Sequence, residues 1–294
     1  MRTIGVLARA DLVKAGPAIR ELVEWLGKRG VRTCLDEATA ALGGAEASTR
    51  CRVVSARAVA AEADALVVLG GDGTLLAASR LLDRPVPVLG VNFGSLGFLT
   101  EIAMGEIYPT LEAVLEDRYQ WEERRLLHVV VRRRGQTDVD GDVLNDVVVT
   151  KASASRIIDL DVTVDGVFVS AFRADGVIVS SPTGSTAYNL AAGGPILYPT
   201  LPAVLLTPIC PHMLTNRPLV VSDEATIEVR LRAARDVEVM AALDGQQSFA
   251  LADQDSVVVT RSNRRLRLVK AAGRDFFQVL RTKLKWGDTS AGRG

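Results

Sequence analysis

Leu66-Val67-Val68-Leu69-Gly70-Gly71-Asp72-Gly73-Thr74 is the stretch that decides the architecture. A short apolar run bounded by glycines marks a central strand of a parallel sheet, buried on both faces. The glycines let the backbone turn sharply and approach a ligand with no Cβ in the way. A helix opens near Thr74, and amides at such a turn form a concavity for phosphate oxygens. Asp72 is unexpected there, because a carboxylate beside a phosphate nest repels the ligand. It makes chemical sense as acceptor of a proton from an attacking hydroxyl, or as part of the hold on a divalent metal. The loop matches neither G-x-x-x-x-G-K-[ST] nor G-x-G-x-x-G.

The residues around this loop alternate between strand and helix signals. Thr3 to Ala8 reads as a buried strand. Pro17 suits a first helical turn, with Ile19, Leu22, Val23 and Leu26 forming an apolar face that ends near Gly30. Val31 to Leu35 is a second strand, and the Gly/Ala-rich residues 36 to 50 are expected to be a mobile loop. Past the glycine loop come a helix from Thr74 to Leu82, a strand from Val86 to Val91 and a helix from Glu106 to Glu116. Such alternation predicts a parallel sheet with helices on both faces.

Beyond Trp121 the pattern becomes short runs rich in Val, Ile and Thr, punctuated by turns such as Asp165-Gly166 and Asp244-Gly245. A mainly antiparallel β-domain requires this. Phe276, Phe277, Leu280 and Leu284 mark one side of a final amphipathic helix. The expected organisation is an α/β N-terminal domain over residues 1–118 and a mainly antiparallel all-β domain over 119–272. Residues 273–294 supply a C-terminal helix, packing back on the first domain, and a flexible tail from Gly287.

Thirty-five basic residues balance thirty-five acidic ones among 294. This argues against nucleic acid or a membrane surface as partner. Cys34, Cys51 and Cys210 are scattered and lack C-x-x-C spacing. That argues against a disulfide framework or zinc site and fits a reducing cytoplasm. No run reaches the ~18 apolar residues of a membrane span, so a soluble chain is expected. His128 and His212 lie outside every motif, which leaves histidine catalysis without support.

GGDGT after an apolar strand resembles the phosphate-donor loop shared by NAD kinases, diacylglycerol and sphingosine kinases and phosphofructokinases. The resemblance implies a Rossmann-like, phosphofructokinase-like first domain. It makes Gly70, Gly71, Gly73 and Thr74 the phosphate loop. Asn92-Phe93-Gly94-Ser95-Leu96-Gly97-Phe98-Leu99-Thr100 then looks like the N-x-G-x-LGFLT segment of NAD kinases, which the other groups lack. Asn92, Gly94, Gly97 and Phe98 become a substrate loop at the carboxyl edge of the sheet.

The longest match to NAD kinases runs from Asp175 to Ile196 and contains Ser180-Ser181-Pro182-Thr183-Gly184-Ser185-Thr186-Ala187-Tyr188-Asn189. Small hydroxyls and amides at a strand end suit the sugar and phosphates of a dinucleotide, and Tyr188 suits a base or ring. Leu144-Asn145-Asp146 resembles the Asn-acid pair that in the family contacts the NAD adenine and ribose. Its commoner form is Asn-Glu, so Asp146 re-spaces the ribose contact by one methylene. The resemblance further assigns Asp72, Gly73, Arg156, Arg173 and Asp175 to NAD. Thr186, Ala187, Tyr188, Asn189 and Ala191 join them, with Gln246 from the Asp-Gly-Gln turn. A charged residue at Arg173 goes with preference for NAD over NADH.

The resemblance thus implies attack of the 2′-hydroxyl of the NAD adenosine ribose on the γ-phosphorus of ATP, giving NADP. Asp72 accepts the proton and Mg²⁺ accompanies the donor phosphates, since no direct metal motif is present. No residue chooses ATP over inorganic polyphosphate. A homodimer or homotetramer is the family's usual state. A lipid kinase shares GGDGT but lacks the two later segments. A non-catalytic NAD(P) sensor would have no need of Asp72.

Overall fold

A computed structural model describes residues 3–134, 136, 138–152, 157–233 and 237–286. The chain divides into two compact units, Met1–Glu123 with Leu266–Gly294, and Arg124–Arg265.

The first unit is built on β1 (Thr3–Ala8), β2 (Arg32–Asp36), β3 (Arg52–Val54), β4 (Ala65–Leu69) and β5 (Pro87–Asn92). These strands are parallel in the order β3-β2-β1-β4-β5. Every residue of β1, β4 and β5 is buried, as expected for strands covered on both faces. The covering helices are α1 (Gly16–Lys28), α2 (Glu37–Arg50), α3 (Ala56–Glu62) and α4 (Asp72–Ser79). β6 (Ile102–Ala103) and α5 (Ile107–Leu115) follow. The order reverses between β1 and β4, because β1 leads outward to β2 on one side while β4 leads to β5 on the other. Ligands of open α/β sheets bind at the carboxyl ends of strands at such a switch point.

The expectation for residues 36–50 is overturned. Residues 36–50 form helix α2, not a mobile loop. Asp36 caps the helix by accepting the Thr39 N–H at 3.0 Å. The small residues read as loop signals serve close packing instead. A Cβ on Gly43 would lie 3.0 Å from Ile19 Cγ2, and one on Gly16 would lie 2.5 Å from the Leu42 carbonyl. Gly44, at φ 75°, kinks the helix. β3 and α3 also escaped the sequence reading, being only three and seven residues long.

The second unit holds β7 (Trp121–Arg132, entering from the first), β8 (Val139–Val143), β9 (Asp146–Lys151), β10 (Ile158–Val164), β11 (Val167–Ala174) and β12 (Gly176–Ser180). A short helix α6 (Tyr188–Ala191) precedes β13 (Ala203–Ile209), β14 (Leu219–Ser222), β15 (Ile227–Ala233), β16 (Val239–Leu243) and β17 (Gln247–Leu251). β18 (Ser256–Val269) leads back to the first unit, where its end pairs with β5 and α7 (Phe276–Leu284) follows. One sheet runs β14-β13-β12-β9-β16-β17 and the other contains β11-β10-β15-β18 with β7 and β8. Alternate side chains of both, including Val147, Val149, Val177, Leu160, Val229 and Val257, form one apolar core. Asp165-Gly166 and Asp244-Gly245 turn the hairpins with φ of 52° and 75°, and 51° and 63°.

Helix α7 buries Phe276, Val279 and Leu280. Phe277, expected on the same face, is 57% exposed, since a helix turns about 100° per residue and carries it off the stripe of Phe276, Val279 and Leu280. The tail from Gly287 lies outside the described residues.

Candidate active site

The α/β unit carries the first cluster. β4 ends at Leu69, Gly71 is the N-cap, and Asp72 is the first residue of α4, where the helix dipole favours a negative charge. Gly70 is obligatory, because Thr74 folds back on it so closely that a Cβ would stand 2.4 Å from Thr74 Oγ1.

The Asp72 carboxylate is the hub of the second glycine segment. Its Oδ1 accepts the Leu99 N–H at 3.0 Å, the Thr100 N–H at 3.0 Å and the Thr100 hydroxyl at 2.9 Å. Its Oδ2 accepts the Phe98 N–H at 2.9 Å. Charge-assisted bonds of this kind are short and about twice as strong as neutral ones. Gly97 leaves the carboxylate room, for a Cβ there would lie 2.1 Å from Oδ1. Asn92 is buried and donates to the carbonyls of Thr100 at 3.1 Å and Ile102 at 3.2 Å. Asn92 and Gly97 thus hold the loop in shape, while Phe98 is half-buried and Gly94 exposed.

The β unit carries the second cluster. Asp244 is buried in its hairpin turn, and its Oδ2 accepts the Leu144 N–H at 2.9 Å. Its Oδ1 accepts the N–H groups of Asn145 at 2.8 Å and Asp146 at 3.1 Å. The carbonyls of that turn are held from the residue after β12: Ser181 Oγ donates to Leu144 O at 2.5 Å, and Ser181 N–H to Asn145 O at 2.8 Å. Gly184 packs so tightly here that a Cβ would lie 2.2 Å from Asn145 O. The backbone of Asn145 is thus clamped, and its side chain is half-buried. Burial, and then the Asp244 charge, push the Asp146 carboxyl up to about 7.

The hydroxyl-rich turn is a network of its own. Asn189 is fully buried; its amide donates to Ser185 O and Pro195 O, both at 3.1 Å, and its oxygen accepts from Thr207 Oγ1 at 2.6 Å. Gly194 is required beside it, where a Cβ would approach Asn189 Oδ1 to 2.1 Å. Thr186 and Ala187 are half-buried, and Tyr188 and Ala191 are exposed on the same turn. Asp175 pairs with Lys151 at 2.7 Å, and Arg173, largely exposed, pairs with Asp159 at 3.2 Å. Gln246 is exposed at the Asp244 turn, and Arg156 lies outside the described residues. His128 Nδ1 stands 3.0 Å from Asp142 Oδ1.

Both clusters fall within segments that family models match. The model described as the ATP-NAD kinase N-terminal domain matches residues 4–119, and that of the ATP-NAD kinase C-terminal domain matches residues 144–271. The chain belongs to the NAD kinase family. It is 46% identical over 289 residues to the NAD kinase of Citrifermentans bemidjiense, covering 98% of this chain and 100% of that one. The NAD kinase of Geobacter sulfurreducens is 44% identical over 290 residues, with coverage of 98% and 100%. Among solved structures, an NAD kinase from Archaeoglobus fulgidus in complex with ATP superposes with a TM-score of 0.75 at 26% identity, covering 95% and 99%. Yeast NADH kinase complexed with NADH shares the fold, with a TM-score of 0.90, 24% identity and coverage of 98% and 89%.

Within this NAD kinase chain, two acids organise the clusters, and the sequence singled out only Asp72. Asp244 passed as an ordinary turn residue. The one available signal was an acid, not the equally suitable Asn, at an αL position two residues before Gln246.

Proposed function

We propose that this chain transfers the γ-phosphoryl group of ATP to the 2′-hydroxyl of the adenosine ribose of NAD, giving NADP. The observation that carries the proposal is the Asp72 carboxylate, fixed by four donors beside the Gly70–Gly71 turn. Oδ2 accepts only one of those four bonds, so it keeps lone-pair capacity for a substrate hydroxyl. The ribose oxygen bonds to the γ-phosphorus, the bond from that phosphorus to the β–γ bridging oxygen breaks, and ADP departs. The hydroxyl proton passes to Asp72 late in the transfer. Most of the acceleration comes from positioning and charge neutralisation, because phosphoryl transfer demands little covalent help.

NAD recognition falls to Asn145 and Asp146 together with the exposed parts of the Thr186–Ala191 turn, Arg173, Asp175 and Gln246. The clamped backbone of the Asn145 turn supports that role. Among the described residues no cluster of three or more His, Cys, Asp or Glu could hold a metal ion. In this reading magnesium accompanies the donor phosphates as MgATP. The test is an endpoint assay with NAD, ATP and Mg²⁺, reading NADP with an NADP-specific dehydrogenase. NADP forms with the native protein and falls by orders of magnitude in Asp72→Asn, which still binds NAD. Normal turnover by that variant would remove Asp72 from the chemistry.

A further inference from the structure

Arg9 and Lys14 belong to no motif, yet the sheet topology brings both to the glycine turn. Ala8 pairs with Leu69, and Leu69 pairs with Val91, so Arg9, Gly70 and Asn92 leave three neighbouring strands in one row. Arg9 N–H donates to Leu69 O at 3.1 Å, which ties the start of the loop to the end of β4. The loop then winds through tight turns, Leu12 N–H to Arg9 O at 2.9 Å and Ala15 N–H to Leu12 O at 2.8 Å. This is the carboxyl edge of the switch point between β1 and β4.

A cavity of about 210 Å³ opens there, lined by Arg9, Lys14, Gly70, Gly71, Gly94 and Ser95 among others. Its lining includes two cations, three glycines and a hydroxyl, and no carboxylate. Sites that enclose a whole drug-sized ligand measure roughly 300–1,000 Å³, so this one fits part of a nucleotide. Lys14 Nζ donates to Phe93 O at 2.5 Å, so its charge is held at the cavity and not spread through solvent. Arg9 Nε meets Asp11 at 2.6 Å, but both side chains are more than half exposed. An exposed pair of that kind is worth little and yields readily to a stronger anion. The guanidinium keeps its two NH₂ groups for the bidentate recognition that phosphate favours.

We propose that Arg9 and Lys14 bind the phosphate chain of the donor against the Gly70–Gly71 turn, making the site a reader of linear oligophosphate. The inference rests on the kinase reading above. Arg9 grips the phosphate chain, and Lys14 adds a fixed positive charge beside it. At about 210 Å³ the cavity takes the phosphates, and the nucleoside extends beyond it.

The experiment compares native protein with Arg9→Gln, Lys14→Gln and Lys14→Arg. MgATP binding is read by calorimetry, and KM for MgATP and for NAD by the NADP assay. Both glutamine variants weaken MgATP binding and raise its KM at least tenfold, while KM for NAD stays within twofold. Lys14→Arg recovers most of the loss, and inorganic tripolyphosphate competes with ATP in the native protein. MgATP affinities within twofold of native in both glutamine variants would overturn the assignment, as would absence of MgATP binding by native protein. Weakened MgATP binding in the variants, with no NADP formed even by native protein, would uphold the two cations and sink the kinase reading instead. Uncompetitive or absent inhibition by tripolyphosphate would refute recognition through phosphate alone.

Discussion

Alanine at position 97 tests how closely activity depends on the placement of Asp72. The added Cβ would lie 2.1 Å from Asp72 Oδ1 and 2.3 Å from Thr100 Oγ1. Side-chain carbons essentially never approach other heavy atoms within 3.0 Å, so the carboxylate or its loop must retreat by about 1 Å. Gly97 does not adopt a positive φ, so alanine adds no backbone strain and the effect is steric. A misplacement of about 1 Å costs on the order of 100-fold in rate. That corresponds to about 2.7 kcal/mol of transition-state stabilisation. The same retreat weakens charge-assisted hydrogen bonds worth about 1.5–3 kcal/mol each, so the melting temperature also falls. The assay is steady-state turnover at saturating NAD and MgATP, with circular dichroism to establish folding. We expect kcat to drop about 100-fold, with KM for NAD little changed. Gly105→Ala, whose Cβ meets nothing within 4 Å, serves as control and keeps native turnover. A folded Gly97→Ala protein with kcat within a factor of three of native would refute the reasoning.

Two further outcomes follow from the hydrogen bonds and charges of the clusters. Thr100→Val deletes the hydroxyl that donates to Asp72 Oδ1 at 2.9 Å and destabilises the protein by about 1.5–3 kcal/mol. Thr100→Ser keeps the donor and recovers most of that loss, so equal urea midpoints for the two variants would show that the methyl group matters instead. Asp146 is raised from 3.8 to about 7 in the folded protein, so the fold favours its protonated form. Its contribution is therefore fully present below pH 4 and is lost as pH rises to about 7. Asp146→Asn, which cannot ionise, gains on the native protein by roughly 3 kcal/mol between pH 5 and pH 8 in urea titrations. A stability difference that ignores pH would disprove the shift.

The sequence by itself determined the features that depend on local chemistry. A glycine-bounded apolar strand, a helix start beside it and Asp-Gly hairpin turns state their conformations within a few residues. The parallel α/β domain, the antiparallel domain and the position of Asp72 between a glycine turn and a helix were legible for that reason. Helix α2 was misread because glycines that look like loop signals owe their presence to the contact of Gly43 with Ile19, a helix away.

Tertiary structure alone decided what Asp72 and Asp244 hold. The donors to Asp72 lie 26 to 28 residues along the chain, and those to Asp244 lie 98 to 100 residues away. The meeting of Arg9 with Gly70 likewise depends on the parallel register of β1 and β4. Asn189 and Asp146 show the same limit. Burial makes one a closed structural hub and moves the other's titration toward neutrality. The physical reason is that charge strength, burial and hydrogen-bond partners are properties of a residue's surroundings. Those surroundings exist only after distant strands have found their register.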